Sequence, residues 1–203
     1  MIIGDWLARR EMLTPDKVAL IDAQRGFKAI TYRQWNRAAN QAAHFLRDLG
    51  VRQGDRVAVL ALNCVEFLDV WFACGKLGAI MQPLNWRLTP AELVGLIDDA
   101  TPRVLIYGPD FAVATKTIRA QATSIEVFVA FDRVSAPTDR LFDERDTFTD
   151  APPPPVELGW EDAWAICYTG GTTGLPKGAV LTHRSITANS VNTIVSWGLT
   201  PDD

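Results

Sequence analysis

The sequence predicts an α/β fold in which a mainly parallel sheet is layered with helices. Three observations predict it. Short apolar runs alternate three times with helical patterns, the order expected of β–α units. The run Arg56-Val57-Ala58-Val59-Leu60-Ala61-Leu62 is apolar almost without a break, as a strand is when helices cover both its faces. Helix starts are marked at Thr31 with Gln34, at Asn63 with Glu66, and at Thr89-Pro90-Ala91-Glu92, two of them reading as reciprocal capping boxes and the third placing proline at the first helical position.

In chain order, a helix is expected over residues 3–12. Val18-Ala19-Leu20-Ile21 and Lys28-Ala29-Ile30 follow as two short strands around a turn at Gln24-Arg25-Gly26. A helix from Thr31 then carries Trp35, Ala38, Ala39, Ala42, Phe45, Leu46 and Leu49 at helical spacing, and Gly50 stops it. After the strand at 56–62, a helix runs to about Gly75. Val65, Phe67, Leu68, Val70, Trp71 and Phe72 make it apolar nearly all round, so it is expected to be buried. Another helix starts at Thr89. Strands at Val104-Leu105-Ile106-Tyr107 and Ile125-Glu126-Val127-Phe128-Val129 flank a helix over about 111–122.

Composition changes at 136–159, which is charged and then holds Pro152-Pro153-Pro154-Pro155. Four prolines cannot join a helix or a central strand and favour an extended polyproline II path. Residues 1–150 are therefore expected to form an α/β subdomain, 151–160 a proline-rich linker or surface crossing, and 161–203 the start of a next subdomain. There, Ala163-Trp164-Ala165-Ile166-Cys167-Tyr168 is a strand, Val180-Leu181 its return, and 185–197 a helix.

The 203 residues are 48% hydrophobic with a formal net charge of −4. That length supports one large core or two small ones. No basic stripe or cluster is present to meet nucleic acid, and no apolar run reaches membrane-spanning length. The N-terminus places Asp5 early and Arg9-Arg10 after the apolar residues, the reverse of a secretory signal. Cys64, Cys74 and Cys167 lack paired spacing and histidine companions. Buried free thiols in a cytoplasmic protein are the expectation.

The most informative run is Tyr168-Thr169-Gly170-Gly171-Thr172-Thr173-Gly174-Leu175-Pro176-Lys177-Gly178. Glycine lets the backbone approach a ligand closely. Successive free N–H groups make a concave anion site. The threonine hydroxyls can donate to phosphate oxygens or ligate a hard cation, and Lys177 adds a point charge. The run is thus a candidate nucleotide-phosphate cradle. It fails the Walker pattern, because Leu175 and Pro176 separate Gly174 from the lysine and Gly178 follows where a hydroxyl is required. The β-favouring Ala179-Val180-Leu181 also argues for a strand, not a helix, after the loop. A glycine- and threonine-rich surface hairpin is the plain alternative.

This run resembles the phosphate loop of the adenylate-forming (AMP-binding) superfamily, which includes acyl-CoA synthetases, luciferases and peptide-synthetase adenylation domains. The tail Ala179-Val180-Leu181-Thr182-His183 is similar to that family's following strand. Gly170 departs from the pattern, where serine is commoner. The stretch Gly78-Ala79-Ile80-Met81-Gln82-Pro83-Leu84-Asn85-Trp86-Arg87-Leu88-Thr89 also resembles acyl-CoA synthetases. The resemblance implies the incomplete N-terminal domain of an ATP-dependent acyl-CoA synthetase. It implies ATP with Mg2+ as nucleotide, CoA as thiol acceptor and a fatty or aromatic carboxylic acid as substrate. The implied nucleotide-binding residues are Thr169, Gly170, Gly171, Thr172, Thr173, Gly174, Pro176 and Lys177, with Thr172 nearest Mg2+. The family's later adenine, ribose, magnesium and catalytic-lysine motifs do not occur after Gly178, so no catalytic residue is assigned and the chain alone is expected to be inactive.

Two other readings are a non-catalytic phosphate-binding module that self-associates as a homo-oligomer, and a P-loop-like NTPase. His44 is expected at an exposed or boundary position and His183 in capping or packing. The tryptophans are expected to pack, and Asp98-Asp99 to be solvated.

Overall fold

The structure is a computed structural model that describes residue 3, residues 5–170 and residues 176–200. Helix α1 (Trp6–Leu13) is capped by Asp5, whose carboxylate accepts from the Ala8 N–H. Strands β1 (Val18–Asp22) and β2 (Lys28–Thr31) form a separate antiparallel pair. Helix α2 (Tyr32–Asp48) opens on the expected Thr31–Gln34 capping box.

A seven-stranded sheet follows. Its strands are β3 (Arg56–Leu60), β4 (Ile80–Pro83), β5 (Val104–Tyr107), β6 (Val127–Ala130), β7 (Arg140–Leu141), β8 (Ala163–Thr169) and β9 (Lys177–Thr182), in the order β7-β6-β5-β3-β4-β8-β9. Every pairing from β7 to β8 is parallel, and only β8–β9 is antiparallel. The crossover helices are α3 (Val65–Leu77), α4 (Pro90–Ala100) and α5 (Ala112–Gln121), and α6 (His183–Trp197) follows β9. The expected α/β architecture is therefore present.

The period-2 alternation of a strand sorts the core into two layers. Val57 and Val59 of β3, with Met81, Ile106 and Val129, pack with Phe45 and Leu46 of α2 and Val70 and Ala73 of α3. Ala58 and Leu60 instead pack with Leu93 and Ile97 of α4 and Ile118 of α5. Both faces of β3 are covered, which is why its sequence carries no polar alternation.

The start of α3 differs from expectation. Cys64, not Asn63, is its N-cap, and no side-chain cap bond forms there. The helix begins one residue later, which puts Glu66 a position too early to cap, and its carboxylate pairs with Arg25 instead. The charged side chains Glu66, Asp69 and Lys76 are among the best-buried residues of α3, and Phe67, Leu68, Trp71 and Phe72 are half-buried.

The proline-rich crossing is tied down by its carbonyls. Gln41 donates to Phe148 O, Asn40 to Asp150 O and Gln53 to Glu157 O, while the His44 ring meets Ala151 O. Pro153 is buried. After it, β8 enters the sheet beside β4, with Met81 opposite Ala165.

Candidate nucleotide-phosphate site

The loop is presented by a β-hairpin. β8 and β9 are in register from Ala165–Leu181 to Thr169–Lys177, so Thr169 and Lys177 face each other across the last rung. β8 runs parallel to β4 and β4 to β3, so the end of the hairpin that carries Thr169 and Lys177 lies at the carboxyl edge of the sheet. In open α/β sheets ligands bind at that edge.

Of the expected site residues, Thr169, Gly170, Pro176 and Lys177 are described, and they lie together at the two ends of the loop. Thr169, Gly170 and Lys177 are exposed. A Cβ added at Gly170 would meet nothing within 4 Å, so the backbone there is open to an approaching group. Gly171, Thr172, Thr173 and Gly174 lie outside the described residues. Lys177 opens a strand, not a helix, so the Walker arrangement is absent here.

Beside the loop is a cavity of about 400 Å³ lined by Asn63, Asn85, Trp86, Tyr168, Gly170 and Pro176, among others. The turn after β4 shapes one wall. The Asn85 side-chain oxygen accepts from the Arg87 N–H at 3.1 Å, and the Arg87 guanidinium stacks 4.1 Å over the Trp86 ring. Cys167 also lines the cavity, and burial pushes its thiol above the ordinary range. Burial likewise raises Cys64 to about 11. Neither is a thiolate at neutral pH, so neither is a ready nucleophile. Among the described residues, no group of three or more His, Cys, Asp or Glu could hold a metal ion. A wider groove of about 680 Å³ lies between α1 and α6, lined by Trp6, Val191 and Ile194; among the described residues it shares none with the loop.

The sequence predicts Asp99 to be solvated. Asp99 is exposed, but its carboxylate accepts a hydrogen bond from the Tyr168 hydroxyl, the residue just before the loop. Burial and the Asp99 carboxylate both push the Tyr168 phenol up, so it stays protonated and donates. The one hint in sequence was an acid in the last turn of a helix that has no basic residue there, where the helix dipole opposes it. His183 does pack. It is buried with its ring stacked on Trp164, centroids 4.9 Å apart, and burial holds its pKa below the ordinary value.

The mainly parallel seven-stranded sheet, its covering helices and the hairpin at its carboxyl edge define an α/β domain. Residues 7–203 match the family model of the AMP-binding enzyme, and the chain belongs to that family. It is 36% identical over 201 residues to a feruloyl-CoA synthase of Amycolatopsis, covering 99% of this chain and 37% of that protein. It is 36% identical over 200 residues to the long-chain-fatty-acid–CoA ligase FadD13 of Mycobacterium tuberculosis, covering 98% and 38%. Its fold is similar to the crystal structure of the N-terminal domain of FACL13 from the same organism, with a TM-score of 0.82 at 33% identity, covering 100% of this chain and 48% of that one. The chain thus corresponds to an N-terminal portion of acyl-CoA ligases and spans well under half the length of the curated relatives it matches.

Proposed function

We propose that this chain supplies the polyphosphate-binding part of an ATP-dependent acid–thiol ligase. The observation that carries the reading is the hairpin. Two strands at the carboxyl edge of a parallel sheet end in exposed Thr169, Gly170 and Lys177, with an open backbone position at Gly170.

In the reaction so proposed, a carboxylate oxygen attacks the α-phosphorus of ATP, and the bond to the departing pyrophosphate breaks. A thiol, that of CoA, then attacks the acyl carbonyl carbon, AMP leaves, and the thiol proton is released. The first step moves charge onto pyrophosphate, so a protein contributes chiefly by positioning and electrostatics. The residues for this are the N–H groups from Gly170 to Gly174, the hydroxyls of Thr169, Thr172 and Thr173, and the Lys177 ammonium. Pro176 fixes the chain ahead of the lysine. Thr172 would offer an oxygen to the Mg2+ that accompanies the nucleotide. The names of the relatives point to a fatty or aromatic acid as substrate.

The test is acid-dependent exchange of labelled pyrophosphate into ATP. The chain alone is expected to show none. Fused to the complementary part of FadD13, it is expected to show exchange with ferulate or a long-chain fatty acid, reduced at least tenfold by Lys177→Ala. Exchange by the chain alone, or a fusion indifferent to Lys177→Ala, contradicts the reading. A second reading, a phosphate-binding module that self-associates, is favoured by one observation: Val191, Ile194, Val195 and Trp197 of α6 are exposed.

A further inference from the structure

Tyr168 makes contacts that a spacer residue before a loop would not need. Its hydroxyl reaches α4 and donates to Asp99. Its ring packs against the α4–α5 layer of the core. The same ring lies over Gly178, its register partner on β9. A Cβ there would stand 3.2 Å from Tyr168 Cζ and 2.9 Å from Ile166 Cγ2. One side chain therefore touches both stems of the hairpin and the helix beside them.

The helix it grips is itself fixed. Buried Gln82 of β4 donates from Nε2 to Leu96 O at 2.9 Å, which holds the last turns of α4 against the sheet. Asp99 sits in that last turn, where the exposed carbonyl ends of the helix repel a carboxylate and no basic residue offsets them. A hydroxyl donor aimed at Asp99 is the compensation the structure provides.

We propose that Asp99 and Tyr168 are positioning residues for polyphosphate binding. Their hydrogen bond, with Gly178 as the seat of the ring, sets the spacing and angle at which the two stems present Thr169, Gly170 and Lys177. The inference rests on the reading of the loop as a phosphate site. It adds to that reading a residue 69 positions before Tyr168, on another element. A loop that must meet three phosphate groups loses affinity when its donors are displaced by a fraction of an ångström.

The test uses the full chain with Tyr168→Phe, Asp99→Ala, Asp99→Asn and the Tyr168→Phe/Asp99→Ala pair. Phe keeps the ring and Asp99 is exposed, so folding is preserved. Without ligand, amide hydrogen exchange is compared between Tyr168, Thr169, Lys177 and Gly178 and the deeper Ile166 and Val180. Tyr168→Phe and Asp99→Ala are expected to speed exchange about tenfold at the outer positions only. With Mg2+-tripolyphosphate as probe, each is expected to weaken binding about fivefold, with the double variant no weaker than either single one. Asp99→Asn, which keeps an acceptor, is expected to recover most of the loss. Unchanged exchange overturns the proposal. So does faster exchange with unchanged affinity, since the contact would then be structural only. If the wild-type chain binds the probe, Lys177→Ala weakens it and these variants do not, positioning alone fails. If the wild-type chain does not bind, or Lys177→Ala changes nothing, the phosphate-loop reading fails and takes the proposal with it.

Discussion

Gly78 ends α3 in the left-handed region, at φ 67°. A Cβ there would lie 2.7 Å from Leu158 Cδ2 and 2.9 Å from Gln53 Cγ. Leu158 could turn its methyl away, but Gln53 is committed, since its amide donates to Glu157 O. Gly78→Ala therefore meets both backbone strain and crowding, and is expected to cost about 3 kcal/mol, read as a lower midpoint in urea. An unchanged midpoint would mean that the proline-rich crossing moves freely. At this scale the sequence was a good guide where chemistry is local. Thr31–Gln34 caps its helix as its spacing implied, and Pro90 opens α4 as expected, although the Asn63–Glu66 box does not form. It was a poor guide where the partner is remote. Tyr168 and Asp99 are 69 positions apart, and no periodicity links them.

Helix α3 makes the same point for an element. Its apolar side chains suggested a wholly buried helix, yet the structure buries three charges and leaves several of the aromatic residues half-covered. Each charge is met from a distant segment: Glu66 by Arg25, Lys76 by Asp5 and Asn36, Asp69 by Arg145. Burial raises the Asp69 carboxyl to about 6, and Arg145 opposes this without outweighing it. Burial also raises Glu66, but the Arg25 hydrogen bond, its own backbone N–H and the charges of Arg25 and Arg145 together outweigh it and hold it below the usual range. The two act oppositely on stability. A raised carboxyl favours the fold when protonated, so the Asp69 contribution is full below pH 4 and is lost as pH rises through about 6. Glu66 contributes above its unfolded pKa and loses that as pH falls below it. Between pH 7.5 and 5.5 the Asp69 effect operates alone of the two. The stability of wild type relative to Asp69→Asn is expected to rise by about 1 kcal/mol on that acidification, measured by urea unfolding at both pH values. A difference that is flat or falls would show Asp69 to be ionised throughout. Asp69→Ala is expected to cost about 3 kcal/mol at pH 7, because Arg145 is left without its buried partner.

For the whole molecule, the order of elements was legible because covered parallel strands announce themselves as short apolar runs, and helices by caps and 3.6-residue spacing. Two strands of the sheet were not: β4 (Ile80–Pro83), which no alternation or long apolar run marks, and β7. β7 has only two residues, Arg140 and Leu141, inside a stretch whose charge reads as loop. Nor was the exposure of α6 legible, because its apolar residues fit a buried helix equally well. Val195 and Trp197 are 74% and 76% exposed. Apolar exposure on one helix favours association, so the chain is expected to show concentration-dependent self-association by sedimentation velocity, reduced in a Val195→Glu/Trp197→Ser variant. A monomer at all concentrations would contradict this. The assignment as a ligase portion depends on the hairpin gripping polyphosphate, and titration of the 203-residue chain with Mg2+-tripolyphosphate, followed through the amide resonances of Thr169, Gly170 and Lys177, addresses that directly. Saturable shifts at these three, weakened at least tenfold by Lys177→Ala, are expected. Shifts that do not saturate, or that persist unchanged in Lys177→Ala, would contradict it.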